Sequence, residues 1–131
     1  VVDGITFDSE LESRHYELLR DCEDVDIVKR QKRFVLYKKQ ERVRLPDMKE
    51  VSLREIVYTP DFIITFKGLD KPIAVESKGY ARPAYRLRQR LWEHLYGDEY
   101  HFMEVGKGEM KGKLKELREK VNKCQKKKKA N

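Results

Sequence analysis

Cysteine is nearly absent from this 131-residue chain, and the two that occur, Cys22 and Cys124, stand alone with no CxxC spacing. That argues against a disulfide framework and against a cysteine-based zinc site. Histidine is equally scarce: His15, His94 and His101 lie far apart, and with the cysteines they read as core or surface residues in a reducing compartment. No apolar run approaches the roughly 20 residues a membrane-spanning helix needs, and 40 % of the residues are charged, so the expectation is a soluble, cytoplasmic protein with no membrane partner. No leader is recognisable, although a chain that begins at Val1 rather than Met says little on that point. Repeats are lacking, and low complexity is confined to residues 126–129. The length suits one domain around a single core.

The net charge of +7 is unevenly spread. Residues 1–105 carry 19 Lys+Arg against 20 Asp+Glu, a balance of −1, whereas residues 106–131 carry 11 against 3, a balance of +8. A near-neutral body with a basic appendage suits a protein that attracts an anion and acts on it. A solvated charge run without a partner is the alternative for the tail.

Periodicity orders the elements as helix, strands, helix, strand, helix. Ser9 followed by Glu12 has the capping-box spacing, and the helix it opens runs to about Cys22 with Leu11, Tyr16, Leu18, Leu19 and Cys22 as its apolar stripe. Residues 25–39 read as strand, residues 38–49 as a charged connecting loop or frayed hairpin end, and residues 51–66 as strand again, with an irregularity at Pro60. A turn over residues 67–72 leads into a strand over residues 73–78. Residues 83–96 form a helix with Pro83 in its first turn and Ala84, Leu87, Leu91 and Leu95 as its apolar face. A short strand over residues 100–105 follows.

Two segments concentrate the chemistry. Glu76 and Lys78 leave the same face of one strand, and Asp61 joins them if its strand pairs alongside. Two carboxylates and an amine are equipment for holding a divalent metal on oxygen ligands and aiming a water at a phosphodiester. A charge in the apolar stretch around Asp61 is costly without a partner or an ion. Glu12 lies in register with Tyr16 and Leu19 beside the buried stripe, where it serves either this site or the capping box. Downstream, Arg82, Arg86, Arg88 and Arg90 are candidate phosphate contacts, with Arg86 and Arg90 on one helix face. Tyr80 and Tyr85 could stack on a base or pack on the sheet.

Pro60-Asp61, then Glu76-Ser77-Lys78 at the end of the next apolar strand, resembles the motif of the PD-(D/E)xK nuclease superfamily. The resemblance extends to residues 3–9 leading to Glu12, to Tyr58-Thr59-Pro60-Asp61-Phe62, to Gly79, and to Tyr85-Arg86-Leu87-Arg88. It sharpens to a resemblance to a family of small phage and prophage proteins of unknown function related to Holliday-junction endonucleases, and it covers about residues 3–105. It implies an α/β fold with a restriction-endonuclease-like core: a helix, a three-stranded meander, a helix and a strand over residues 1–105, followed by a basic C-terminal helix over residues 106–131. It implies that Asp61, Glu76 and the backbone carbonyl of Ser77 bind Mg²⁺, with Mn²⁺ as substitute. Lys78 then serves the attacking water, and Glu12 completes the site or supports a second metal. The implied activity is a metal-dependent endonuclease on double-stranded or branched DNA, in the bacterial host cytoplasm if phage encoded. The alternatives are a non-enzymatic DNA-binding recombination accessory protein, or a nuclease subunit of a transposition or restriction complex.

The tail carries Met110, Leu114, Leu117, Val121 and Cys124 at alternating spacings of four and three, a helix with one apolar seam. Packing on the body is favoured for so short a seam, and a homodimer is the alternative. Lys126, Lys127, Lys128 and Lys129 are expected to add salt-sensitive affinity for phosphates.

Overall fold

The computed structural model describes residues 2–47, 49–77 and 83–130. It has a mixed α/β architecture with three helices: α1 (Glu10–Asp21), α2 (Pro83–Tyr96) and α3 (Met110–Ala130). A four-stranded mixed sheet takes β1 (Val25–Arg30), β6 (Phe62–Phe66), β7 (Ile73–Ser77) and β8 (His101–Val105) in that spatial order. β1, β6 and β7 are antiparallel neighbours, and β8 returns through α2 to lie parallel to β7. The chain leaves this sheet after β1 and rejoins it at β6. In between lie β2 (Phe34–Tyr37), β3 (Gln40–Arg44), β4 (Glu50–Leu53) and β5 (Ile56–Tyr58), with β2 paired to β5 and β3 to β4.

Strand alternation divides the core between the two sheet faces. Phe62, Ile64, Phe66, Ile73, Val75 and Val105 meet Leu19 of α1 and Met110, Leu114 and Val121 of α3 on one face. Ile63 and Ala74 meet Trp92 of α2 and Phe34, Leu36 and Tyr58 of the β2–β5 pair on the other. β6 and β7 are therefore covered on both sides, which is why their sequences read as nearly unbroken apolar runs. The seam of α3 packs on the body, with Leu117 half-buried and Cys124 exposed. No helix among the described residues is long and apolar enough to cross a membrane.

Four expectations change, the first being that the strand read over residues 51–66 is divided into β4, β5 and β6, which belong to three different sheets. The single strand over residues 25–39 is broken at residues 31–33, where Gln31 takes a left-handed φ of 50° and the chain turns out of the sheet. The expected loop over residues 38–49 holds β3 and leads into β4. Its charged residues are exposed, so no buried face wrote an alternating pattern into the sequence. On α2 the period was right and the phase was wrong. Leu87 is 69 % exposed and Leu95 47 %, while Trp92 is fully buried and Tyr85, Leu91 and Tyr96 pack beside it. A tryptophan and two tyrosines at helical spacing hide more area than the leucines, and they set which face turns inward.

Candidate functional site

Ser9 caps α1 by accepting the Glu12 N–H at 3.1 Å, which fixes the first turn and brings the Glu12 side chain to the sheet. Glu12 is only 4 % exposed. Its Oε1 has no hydrogen-bond partner among the described residues, and Arg30 Nη2 stands 3.7 Å away. Burial first and the charge of Asp61 second raise the Glu12 carboxyl above its usual range.

In the β6–β7 pairing Phe62 lies opposite Val75 and Ile63 opposite Ala74, so one further step sets Asp61 beside Glu76. Asp61 Oδ2 accepts the Ser77 N–H at 2.8 Å. Burial raises the Asp61 carboxyl, against that hydrogen bond, which lowers it. Glu76 Oε2 accepts the Tyr58 hydroxyl at 2.8 Å. Its carboxyl is pushed up to about 8 by burial first and by the Asp61 charge second, while the Tyr58 hydroxyl and the Asp61 backbone amide pull it down. Each of these carboxylates uses one oxygen in those bonds, and their mutual repulsion is what a cation would relieve.

Glu104 stands beside Glu76 on the parallel strand β8 and accepts the Tyr85 hydroxyl at 2.6 Å. The Tyr58 and Tyr85 rings are 6.2 Å apart. A cleft of about 650 Å³ opens between β5 and the first turns of α2, with Tyr58, Thr59, Glu76, Tyr85 and Arg88 on its walls. Arg88 thus supplies a cation to the cleft that holds Glu76. Arg86 and Arg90, favoured in sequence as the pair on one helix face, are exposed and do not line it.

His15 is the residue that sequence reading missed. It is 2 % exposed, with Nδ1 2.7 Å from Ser77 Oγ and Nε2 3.3 Å from the Gly106 carbonyl oxygen. A carbonyl only accepts, so Nε2 carries the proton and Nδ1 accepts the Ser77 hydroxyl. Burial holds the imidazole below its usual pKa, in keeping with this neutral form. Ser77 is thereby fixed on both sides: its hydroxyl by His15, its N–H by Asp61. The one signal in sequence was the position of His15 beside the apolar stripe of α1.

Lys78, Gly79, Tyr80 and Arg82 lie outside the described residues, as do the side chains of Lys127, Lys128 and Lys129. Lys126 is exposed near the C-terminal end of α3. Gly68, in the β6–β7 turn, lies against Val121 of α3, so that end of the helix sits at the opposite end of the strands from Asp61 and Glu76. Among the described residues, no three His, Cys, Asp or Glu side chains group closely enough to hold a metal ion on their own. Asp61 and Glu76 are a pair of carboxylates next to a main-chain carbonyl, and that donor set needs only two side chains.

A family model described as "Protein of unknown function (DUF1064)" matches residues 1–107. The chain belongs to this family. The DUF1064 match takes in α1, all eight strands and α2, and it stops just before α3. No curated protein and no solved structure matches the chain.

Proposed function

We propose that this DUF1064 chain is a metal-dependent endonuclease of the PD-(D/E)xK kind, with a restriction-endonuclease-like core, acting on DNA. The observation that carries the reading is the pairing of β6 with β7, which sets half-buried Asp61 and Glu76 side by side at one end of the sheet. α1, the antiparallel strands β1, β6 and β7, then α2 and parallel β8 follow the element order that the motif implies.

Asp61, Glu76 and the Ser77 carbonyl would hold Mg²⁺ or Mn²⁺, with buried Glu12 beside Asp61 as support. Bound there, the ion supplies Lewis-acid polarisation of the phosphate and lowers the pKa of a water. The chain's own residues orient and neutralise. Tyr58 holds Glu76, the Ser77 N–H holds Asp61, and His15 locks Ser77. Arg88 offers its guanidinium to a phosphate entering the cleft. Lys78 takes its role, serving the nucleophile, from the motif alone. Water attacks in line with the leaving 3′-oxygen and leaves a 5′-phosphate.

The test is incubation with Mg²⁺ or Mn²⁺ on linear, nicked and four-way-junction DNA. Cleavage lost in Asp61→Asn and in Lys78→Ala supports the assignment; cleavage that survives both removes it. A wild type that binds DNA and no metal would instead favour the non-enzymatic accessory role.

A further inference from the structure

β1 ends on an arginine that lies outside the nuclease motif. Arg30 stands opposite Phe62 in the β1–β6 ladder, and the next residue, Gln31, donates its N–H to the Asp61 carbonyl at 3.1 Å. The backbone that carries Arg30 is thereby tied to the backbone that carries Asp61. Phe62 faces the α1 side of the sheet, and residues opposite each other in a ladder share a face, so Arg30 turns toward Glu12 of α1.

The guanidinium is fixed in place with donors left over. Its central carbon sits 4.4 Å from the centre of the Phe7 ring, a cation–π contact. Nη2 stands 3.7 Å from Glu12 Oε1, past hydrogen-bond length. Nε is buried with no hydrogen-bond partner among the described residues, and Glu12 Oε1 is in the same condition. Burial raises the carboxyls of Glu12 and Asp61, and the Arg30 charge draws both back down, so the guanidinium lies within electrostatic reach of each.

A buried donor and a buried acceptor that face each other across a gap too long to bond do not serve the stability of the fold, because each keeps its desolvation cost. A bound phosphodiester relieves both. A phosphate oxygen accepts from Arg30, and the cation that the nuclease reading places at Asp61 draws on Glu12. The Arg30 side chain is 23 % exposed against 6 % for that of Glu12, so the guanidinium can be reached from solvent while the carboxylate stays behind it. Arg88 lines the cleft beside Glu76 on the α2 side. The two arginines therefore approach the Asp61–Glu76 end of the sheet from its opposite faces.

We infer that Arg30 is a catalytic residue of this site, its guanidinium donating to a non-bridging oxygen of the scissile phosphate. The inference rests on the nuclease reading and adds to it a residue outside the motif. As the water oxygen bonds to phosphorus and the bond to the 3′-oxygen breaks with its electron pair, negative charge grows on the non-bridging oxygens. A guanidinium already held by Phe7 meets that charge without rearranging, and so stabilises the transition state more than the ground state. Arg30 transfers no proton: the water gives one up and the departing 3′-oxygen takes one.

The experiment sets Arg30→Gln and Arg30→Lys beside the wild type in the full chain. Cleavage in Mn²⁺ gives kcat and KM, calorimetry gives Mn²⁺ affinity, and fluorescence anisotropy of the same labelled DNA in EDTA, from about 50 to about 200 mM salt, gives binding apart from cleavage. Arg30→Gln should lower kcat about 10²–10³-fold with KM nearly unchanged. Arg30→Lys, which keeps the charge and loses the fork, should recover part of that loss. In EDTA the slope of log affinity against log salt should flatten by about 0.9 in Arg30→Gln, the mark of one lost phosphate contact. Mn²⁺ affinity should stay at the wild-type value or rise, because the group removed is itself a cation.

Arg30→Gln leaves Glu12 without its nearest cation, so a loss of fold is guarded against by the double variant Glu12→Gln, Arg30→Gln, in which no buried charge is stranded. Its salt slope should be flattened as in Arg30→Gln alone. A wild-type slope in the double variant would reduce Arg30 to a partner of Glu12 and overturn the inference, as would cleavage by Arg30→Gln at the wild-type rate. In both cases the nuclease reading stands, since the wild type still binds Mn²⁺ and cuts. No cleavage by the wild type in Mg²⁺ or Mn²⁺ sinks the nuclease reading and the catalytic role of Arg30 together.

Discussion

The β6–β7 pair and the β3–β4 pair are both antiparallel and of similar length, but one is buried on both faces and the other on almost none. In the first, Phe62, Ile64 and Val75 are pinned under α1 and α3, while Ile63 and Ala74 are pinned under α2. Register there is set by packing, since a slip of one residue would exchange two filled faces. In the second, register rests on backbone pairing and a few exposed ion pairs. A rigid pair can hold Asp61 and Glu76 at fixed separation, as a reaction centre needs. A long, unsupported pair can adapt its twist to a partner.

The largest effect that would sharpen this contrast is a core truncation. Ile64→Ala, at a fully buried position, should cost about 2–5 kcal/mol in urea denaturation, whereas Leu53→Ala at the exposed end of β4 should cost under about 1 kcal/mol. Similar losses at both sites would mean the β3–β4 pair is packed after all.

Next comes pH. Glu76 is held at about 8 against an ordinary value of 4.5, and Asp61 and Glu12 are raised as well. A raised carboxyl contributes stability that is present below the ordinary value and lost as pH climbs through the folded one. The metal-free protein should therefore lose stability between pH 4.5 and about 8, by an amount on the order of a few kcal/mol, with Tm falling accordingly, and Glu76→Gln should flatten that decline. A Tm series in EDTA that is level across this window would contradict the burial assigned to Glu76.

The His15 to Ser77 link is a smaller effect, about 1–3 kcal/mol for each of His15→Leu and Ser77→Ala, because either leaves a polar partner unsatisfied. The double variant should cost less than the two added together; strict additivity would show that the link carries no energy. Smallest of all, Leu87→Ser should change stability by less than about 0.5 kcal/mol, since that leucine faces water.

That last variant marks where sequence legibility ended. The two-carboxylate end of β6 and β7 could be read because a charge after an apolar strand is costly, and strand parity puts Asp61 and Glu76 on neighbouring positions. α1 was legible through Ser9 and its stripe, and α3 through its seam. The phase of α2 was not, because period alone does not choose between a face with Ala84, Leu87 and Leu95 and the wider face of Tyr85, Leu91, Trp92 and Tyr96. The β3–β4 pair was not, because its described side chains are exposed apart from half-buried Val51, and so leave no alternation to find. His15 was missed because its partner, Ser77, is 62 positions away, a distance that no local pattern spans.

The central claim is tested most directly by calorimetric titration of Mn²⁺ into the full chain and into Asp61→Asn, paired with DNA cleavage by the same samples. The account predicts that the wild type binds the ion and cuts DNA, and that Asp61→Asn does neither while keeping the wild-type Tm within a few degrees. Cleavage of undiminished rate by Asp61→Asn, or a wild type that binds no ion at millimolar concentration, would contradict it.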